Sequence, residues 1–278
     1  MKFIEREGEV EIIGASDFDP VRIFECGQCF RWNSDENGVY TGVAFGRAAR
    51  LRRVGESVFI SGSAEDINDV WYDYFDLGRD YAQIRSSICA DGFMRRAVEF
   101  GAGIRILKQD KWEALCSFII SQCNNIPRIK KIIAALCYEF GDSFEFDGEV
   151  FYAFPSAHRL ALLDETHLEP LRCGYRASYI ISAARAVADG SPDLEALSRG
   201  APEDARASLK KLRGVGDKVA DCAVLFGLNM LDAFPLDVWM KRAVAEHYGA
   251  GFDPAMFAPY AGIAQQYIYY YMRSGGGG

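Results

Sequence analysis

Two short segments hold the residue types most able to do chemistry. One is Leu209-Lys210-Lys211-Leu212-Arg213-Gly214-Val215-Gly216-Asp217-Lys218-Val219; the other, soon after it, is Phe234-Pro235-Leu236-Asp237-Val238-Trp239. Arg213 to Asp217 reads as a tight turn between a helix ending at Leu212 and a second helix that follows at once. Gly214 and Gly216 permit positive φ and leave no side chain between backbone and ligand. The amides of such a turn, with the free N–H groups that open a helix, form an anion site, and one nucleic-acid phosphate is its natural ligand. A dinucleotide fold needs a preceding strand and a third glycine, but position 219 is Val and the approach is helical. A plain helical hairpin explains the turn equally well. Lys218, in the first turn of the second helix, is poorly placed for helix stability, and a partly buried amine there is a candidate nucleophile. Asp237 follows a proline turn and opens a helix. As an N-cap it contributes about 1 kcal/mol; its carboxylate can also face a centre that develops positive charge.

The elements that must position these residues fall into two kinds. Residues 9–13, 39–45, 48–54 and 57–61 alternate or run apolar between Gly and Asn, as an antiparallel sheet does. After residue 63 the period becomes helical. Residues 126–140 place Ile129, Ile132, Ile133, Leu136 and Phe140 on one face with Gly141 as a stop, and 111–122 carry Trp112, Leu115, Phe118 and Ile119. Ser191-Pro192-Asp193 and Pro202-Glu203-Asp204 are helix starts. The expected class is α+β: an antiparallel sheet domain over 1–65, a mainly helical domain over 66–274 with the hairpin at about 203–228, and a disordered tail over 275–278.

The chain has 278 residues, 50% apolar and 25% charged, which suits a packed globular protein and excludes a disordered or stapled one. No apolar run approaches the roughly 18 residues of a membrane span, and the start is too charged for a signal peptide, so a cytoplasmic protein is expected. Eight scattered cysteines read as reduced thiols. Cys26-x-x-Cys29 lacks a second ligand pair and His158, His167 and His247 are isolated, so neither metal nor cofactor is expected. The net charge of −8 hides a basic stretch at 95–131, eight basic against three acidic residues, between acidic stretches at 55–91 and 141–170. Screening within about 10 Å at 0.1 M salt lets such a local face meet phosphates.

The glycine-turn hairpin with Lys218, then Pro235-x-Asp237, resembles the helix-hairpin-helix DNA glycosylase superfamily, and within it the 8-oxoguanine DNA glycosylase family. Further segments agree in family order: Cys26-Gly27-Gln28-Cys29-Phe30-Arg31-Trp32, Ser117 to Ile129 with Asn124-Asn125 at its centre, Leu171-Arg172-Cys173-Gly174-Tyr175-Arg176-Ala177, and Ala261-Gly262-Ile263-Ala264-Gln265.

The resemblance implies a TBP-like sheet domain and an enzyme that flips a damaged nucleotide out of duplex DNA. It makes Lys218 the nucleophile at C1′, leading through a Schiff base to β-elimination, and Asp237 the stabiliser of oxocarbenium-like charge. It gives the Gly27 carbonyl the N7–H of 8-oxoguanine to accept, which guanine lacks. Gln265 would read the Watson–Crick edge, Cys222 and Tyr269 would cover the two faces of the base, and Pro235 would line the pocket. Tyr175 would wedge into the duplex, Arg128 and Arg176 would contact the orphaned cytosine, and Asn124, Gly214, Gly216 and Trp239 would lie at the DNA. Three positions depart from the mammalian-type pattern: Cys123 stands in place of an Asn at the orphan base, Trp239 in place of a His near a phosphate, and Asp217 adds a negative charge at the hairpin. The implied form is compact, prokaryotic and monomeric, and its partner is duplex DNA bearing 8-oxoguanine opposite cytosine. The alternatives are a glycosylase for another damaged base, against which Lys218 argues; a non-catalytic hairpin module; and a thiol enzyme built on Cys26 and Cys29.

Overall fold

The computed structural model describes residues 1–275; the rest of the expected glycine tail lies outside the described residues. Six antiparallel strands form one sheet: β1 (Lys2–Arg6), β2 (Glu9–Ile13), β3 (Trp32–Ser34), β4 (Tyr40–Ala44), β5 (Arg47–Val54) and β6 (Ser57–Ser61), in the order β1-β2-β6-β5-β4-β3. The alternation seen in the sequence places Val10, Ile12, Leu51, Val58 and Ile60 on one buried face. A sheet apolar on one face must be covered. The Pro20–Glu25 helix covers it with Ile23 and Phe24, and the turns after β6 add Ile67, Trp71, Tyr74 and Phe75. Trp32 is the centrepiece: it stacks on Phe24 at 4.3 Å and its Nε1–H donates to Tyr74 Oη at 2.8 Å.

This corrects the boundary expected at residue 65. The hydrophobic period does change there, but Ile67 to Leu77, and Leu107 beyond them, complete the same core as the strands. The remaining helices enclose a second core around Lys111–Ser121, a helix with eight buried residues in eleven. The Ile126–Phe140 helix has the bounds that its apolar stripe predicts, with Asn125 as N-cap and Gly141 as C-cap. The helix before the glycine turn is Pro202–Leu209, three residues shorter than expected; a small hairpin, β7 (Ser143–Phe146) and β8 (Glu149–Tyr152), joins the set. Among the described residues no helix is long and apolar enough to cross a membrane.

The two cores meet along residues 101–110, and Arg105 holds the seam. It is 1% exposed. Its guanidinium donates to the carbonyls of Phe75 (2.9 Å), Asp17 (3.0 Å), Asp76 (2.6 Å) and Arg79 (2.9 Å), and lies 4.2 Å from the Tyr81 ring centre. Replacing it strands these acceptors without water. Arg105→Met is expected to lower unfolding stability by at least about 3 kcal/mol in urea denaturation; a loss below about 1 kcal/mol would contradict this account of the seam.

Candidate active site

The hairpin turn works through one glycine, not two. Gly214 has φ +81°, and a Cβ there would sit 2.2 Å from the Tyr179 ring. Gly216 has extended backbone (φ −89°, ψ −175°) with open space around it, so the expected positive φ applies to Gly214 alone. Gly216 is the N-cap of Asp217–Cys222 and supplies no side-chain cap. The added charge of Asp217 is answered locally: Arg206 lies 2.7 Å and Lys210 2.6 Å from its carboxylate, and these partners hold its carboxyl below the usual range.

Lys218, the second residue of that helix, reaches inward. Its Nζ lies 3.3 Å from Ser121 Oγ and 5.2 Å from the Phe118 ring centre. Among the described residues no carboxylate lies within 4.0 Å of it. Asp237 caps Val238–His247 by accepting from Met240 N at 2.9 Å. The pocket they share is also lined by Gly27, Cys222, Pro235, Gln265 and Tyr269, so the fold gathers in one pocket every base-pocket residue expected from the sequence. Burial pushes the Cys222 thiol up to about 11 and the Tyr269 hydroxyl up to about 12, so both stay neutral at pH 7. Burial likewise raises Cys26, to about 12, and Cys29, which removes the thiolate a thiol enzyme would need.

Gly27 is held by its neighbours. Its φ is +78°, a left-handed conformation that suits glycine. Around it the carbonyls are taken: Glu25 O accepts from Arg273 Nη1 (2.8 Å), Cys26 O from Gln266 Nε2 (2.6 Å) and Gln28 O from Gln109 Nε2 (2.7 Å). The buried Gln28 side chain donates to Ile23 O and Arg105 O and accepts from Leu107 N at 2.9 Å. No hydrogen bond to the Gly27 carbonyl is formed among the described residues. A second acceptor is also unpaired: Gln265, 4% exposed, donates through Nε2 to Pro235 O at 3.3 Å, while its buried Oε1 has no partner. Gln28, Gln266, Phe118 and Ser121 were missed as site residues. Each lay in or beside a quoted motif, but only the fold shows what it touches.

The DNA-facing residues are arranged less simply. Tyr175 is 51% exposed beside the Arg176 guanidinium (4.6 Å) and the Tyr179 ring (5.6 Å). Arg176 departs from expectation. It is 4% exposed and donates to the carbonyls of Gln122, Cys123 and Cys173, so in the free protein it braces the loop and does not face an open groove. Asn124 is also occupied: it donates to Ile120 O (3.2 Å) and accepts from Asn125 N (3.1 Å), closing the end of a helix. Trp239 is half-buried against the helical core instead of projecting outward. Arg128 is exposed and bonds Arg172 O at 3.2 Å; Cys123 is exposed at φ +46°.

Comparison with known proteins agrees with this geometry. The 8-oxoguanine DNA glycosylase N-terminal domain matches residues 12–115, and the HhH-GPD superfamily base excision DNA repair protein domain matches 116–256. The N-glycosylase/DNA lyase of Saccharomyces cerevisiae is 31% identical over 85% of this chain and 70% of its own length. The structure of MBOgg1 in complex with a low affinity DNA ligand superposes with a TM-score of 0.93 at 43% identity, over 99% of this chain and 100% of that one. The 8-oxoguanine glycosylase/lyase of Clostridium acetobutylicum, in complex with dsDNA containing cytosine opposite 8-oxoG, gives 0.93 at 36% identity over 99% of both chains. The chain belongs to the 8-oxoguanine DNA glycosylase family of the helix-hairpin-helix base-excision-repair superfamily.

Proposed function

We propose that the protein removes 8-oxoguanine from duplex DNA as a bifunctional glycosylase and abasic-site lyase, with Lys218 as its nucleophile. The observation that carries this reading is the free Gly27 carbonyl between occupied neighbours, in the same pocket as Lys218 and Asp237. The pocket encloses about 50 Å³. A cavity that takes up benzene measures about 150 Å³, so the walls move apart when a flipped purine enters.

In the widened pocket Gly27 O accepts N7–H of the lesion. Guanine presents a lone pair there, and two acceptors facing each other in a buried site are costly. The unpaired Gln265 Oε1 accepts from the N–H groups of the Watson–Crick edge, and the neutral Cys222 and Tyr269 cover the faces. Lys218 Nζ attacks C1′; the N-glycosidic bond breaks, its electron pair leaves with the base, and the base takes up a proton. Asp237 stabilises the positive charge that develops on the sugar. The nitrogen loses a proton as the sugar ring opens to the Schiff base. Removal of a C2′ proton then expels the 3′ phosphate and nicks the strand. Tyr175 fills the gap in the stack, Arg128 reaches the cytosine, and the amides after Gly214 hold a phosphate of the damaged strand.

Two measurements test this. Borohydride trapping with a duplex bearing one 8-oxoguanine opposite cytosine should yield a covalent adduct, which Lys218→Gln abolishes while binding persists; an adduct of undiminished yield in that variant excludes Lys218. Thermal denaturation should separate the two glycines of the phosphate turn. Gly214→Ala is expected to lose more than about 2 kcal/mol and to weaken duplex binding, whereas Gly216→Ala stays within about 0.5 kcal/mol of the parent. Equal losses would contradict the turn geometry.

A further inference from the structure

A cleft of about 470 Å³ beside the wedge loop gathers three cations, Arg128, Lys131 and Arg172, all of them exposed. Two come from the first turns of the Ile126–Phe140 helix and the third from the segment before Tyr175. Their grouping opposes ordinary helix electrostatics. Arg128 and Lys131 are like charges three residues apart on one face, near the positive end of a helix; both arrangements are unfavourable. No carboxylate lies within 4.0 Å of any of the three among the described residues, although the protein carries a net charge of −8. Lys130, between them in sequence, differs: it bonds Trp32 O at 2.8 Å and pairs with Glu25 at 3.7 Å. The Arg128 guanidinium also fixes the cleft by donating to Arg172 O across the loop. Three neighbouring cations without a counter-charge make a site for an external anion.

The contacts of the loop say which anion. From the pocket outward they run from Lys218 to Ser121 Oγ (3.3 Å), then to Gln122 O, which takes Arg176 Nε at 2.8 Å beneath Tyr175. They continue from Arg176 to Cys173 O (3.2 Å) and from Arg172 O to Arg128. Arg128, assigned above to the cytosine opposite the lesion, lines this same cleft and bonds Arg172 O, so the cleft lies beside the undamaged strand. We infer that Lys131 and Arg172 bind a backbone phosphate of the undamaged strand, next to the cytosine that Arg128 reaches. The inference rests on the reading of Arg128 as the contact to the cytosine, and it adds Lys131 and Arg172 to the residues that hold DNA. Such a contact grips without reading sequence.

The test uses full-length Lys218→Gln protein, which keeps the substrate intact, with and without Lys131→Ala and Arg172→Ala together. Fluorescence anisotropy over a salt series is read on an 8-oxoguanine duplex and an undamaged one. The double variant should bind both duplexes roughly tenfold more weakly, and its log–log salt slope should be shallower by about 2. Methylphosphonates placed singly along each strand then locate the contact. One position in the undamaged strand should weaken the parent and leave the double variant unaffected. An unchanged salt slope overturns the inference, as does a sensitive position in the damaged strand. A parent that shows no preference for the lesion would instead overturn the glycosylase reading.

Discussion

The site depends on one short stretch of backbone, residues 25–28, being held from both cores at once. Buried carbonyls without donors are expensive. Here Glu25 O, Cys26 O and Gln28 O are satisfied by Arg273, Gln266 and Gln109, which come from the last helix and from the seam. Cys26 packs in the helical core and Cys29 in the sheet core, so the stretch spans the junction. Neither domain alone could aim the Gly27 carbonyl. Sheet, seam and C-terminal helix are in this sense one device for holding a single acceptor still.

That rigidity supplies selectivity. Two acceptors are left unpaired in the free protein, the buried Gln265 Oε1 and the half-buried Gly27 O, and under the proposed function a base with donors in the right places completes them. A flexible acceptor could turn away from the lone pair of guanine; a fixed one cannot. The reactive side is arranged with similar economy. Lys218 has the Ser121 hydroxyl and the Phe118 ring face as neighbours, and burial keeps the adjacent Cys222 thiol neutral. Hairpin charges that would repel DNA are cancelled within the hairpin by Arg206 and Lys210.

Much of this is legible in the sequence, and what is not has physical reasons. β2 and β6 and the Ile126–Phe140 helix follow their patterns because each has one buried face. β1 was missed because it is a largely exposed edge strand, whose charged residues hide the alternation. The boundary at 65 failed because hydrophobic period reports the type of element and not which core it joins. The residues singled out by motif resemblance for the base pocket line one pocket in the fold. The bonds that Arg176 and Asn124 make to nearby carbonyls in the free protein are invisible in side-chain type. Gln266 was overlooked for a related reason: its partner lies 240 residues away.

Under the proposed function, the Gly27 carbonyl recognises the lesion through N7–H. The most direct measurement compares Lys218→Gln binding to two duplexes, one with 8-oxoguanine and one with an analogue in which carbon replaces N7. The N7–H donor is removed while the protein stays the same. The account predicts binding to the analogue weaker by about 10-fold to 100-fold, as for a buried acceptor left unpaired. Equal affinity for the two duplexes would contradict it.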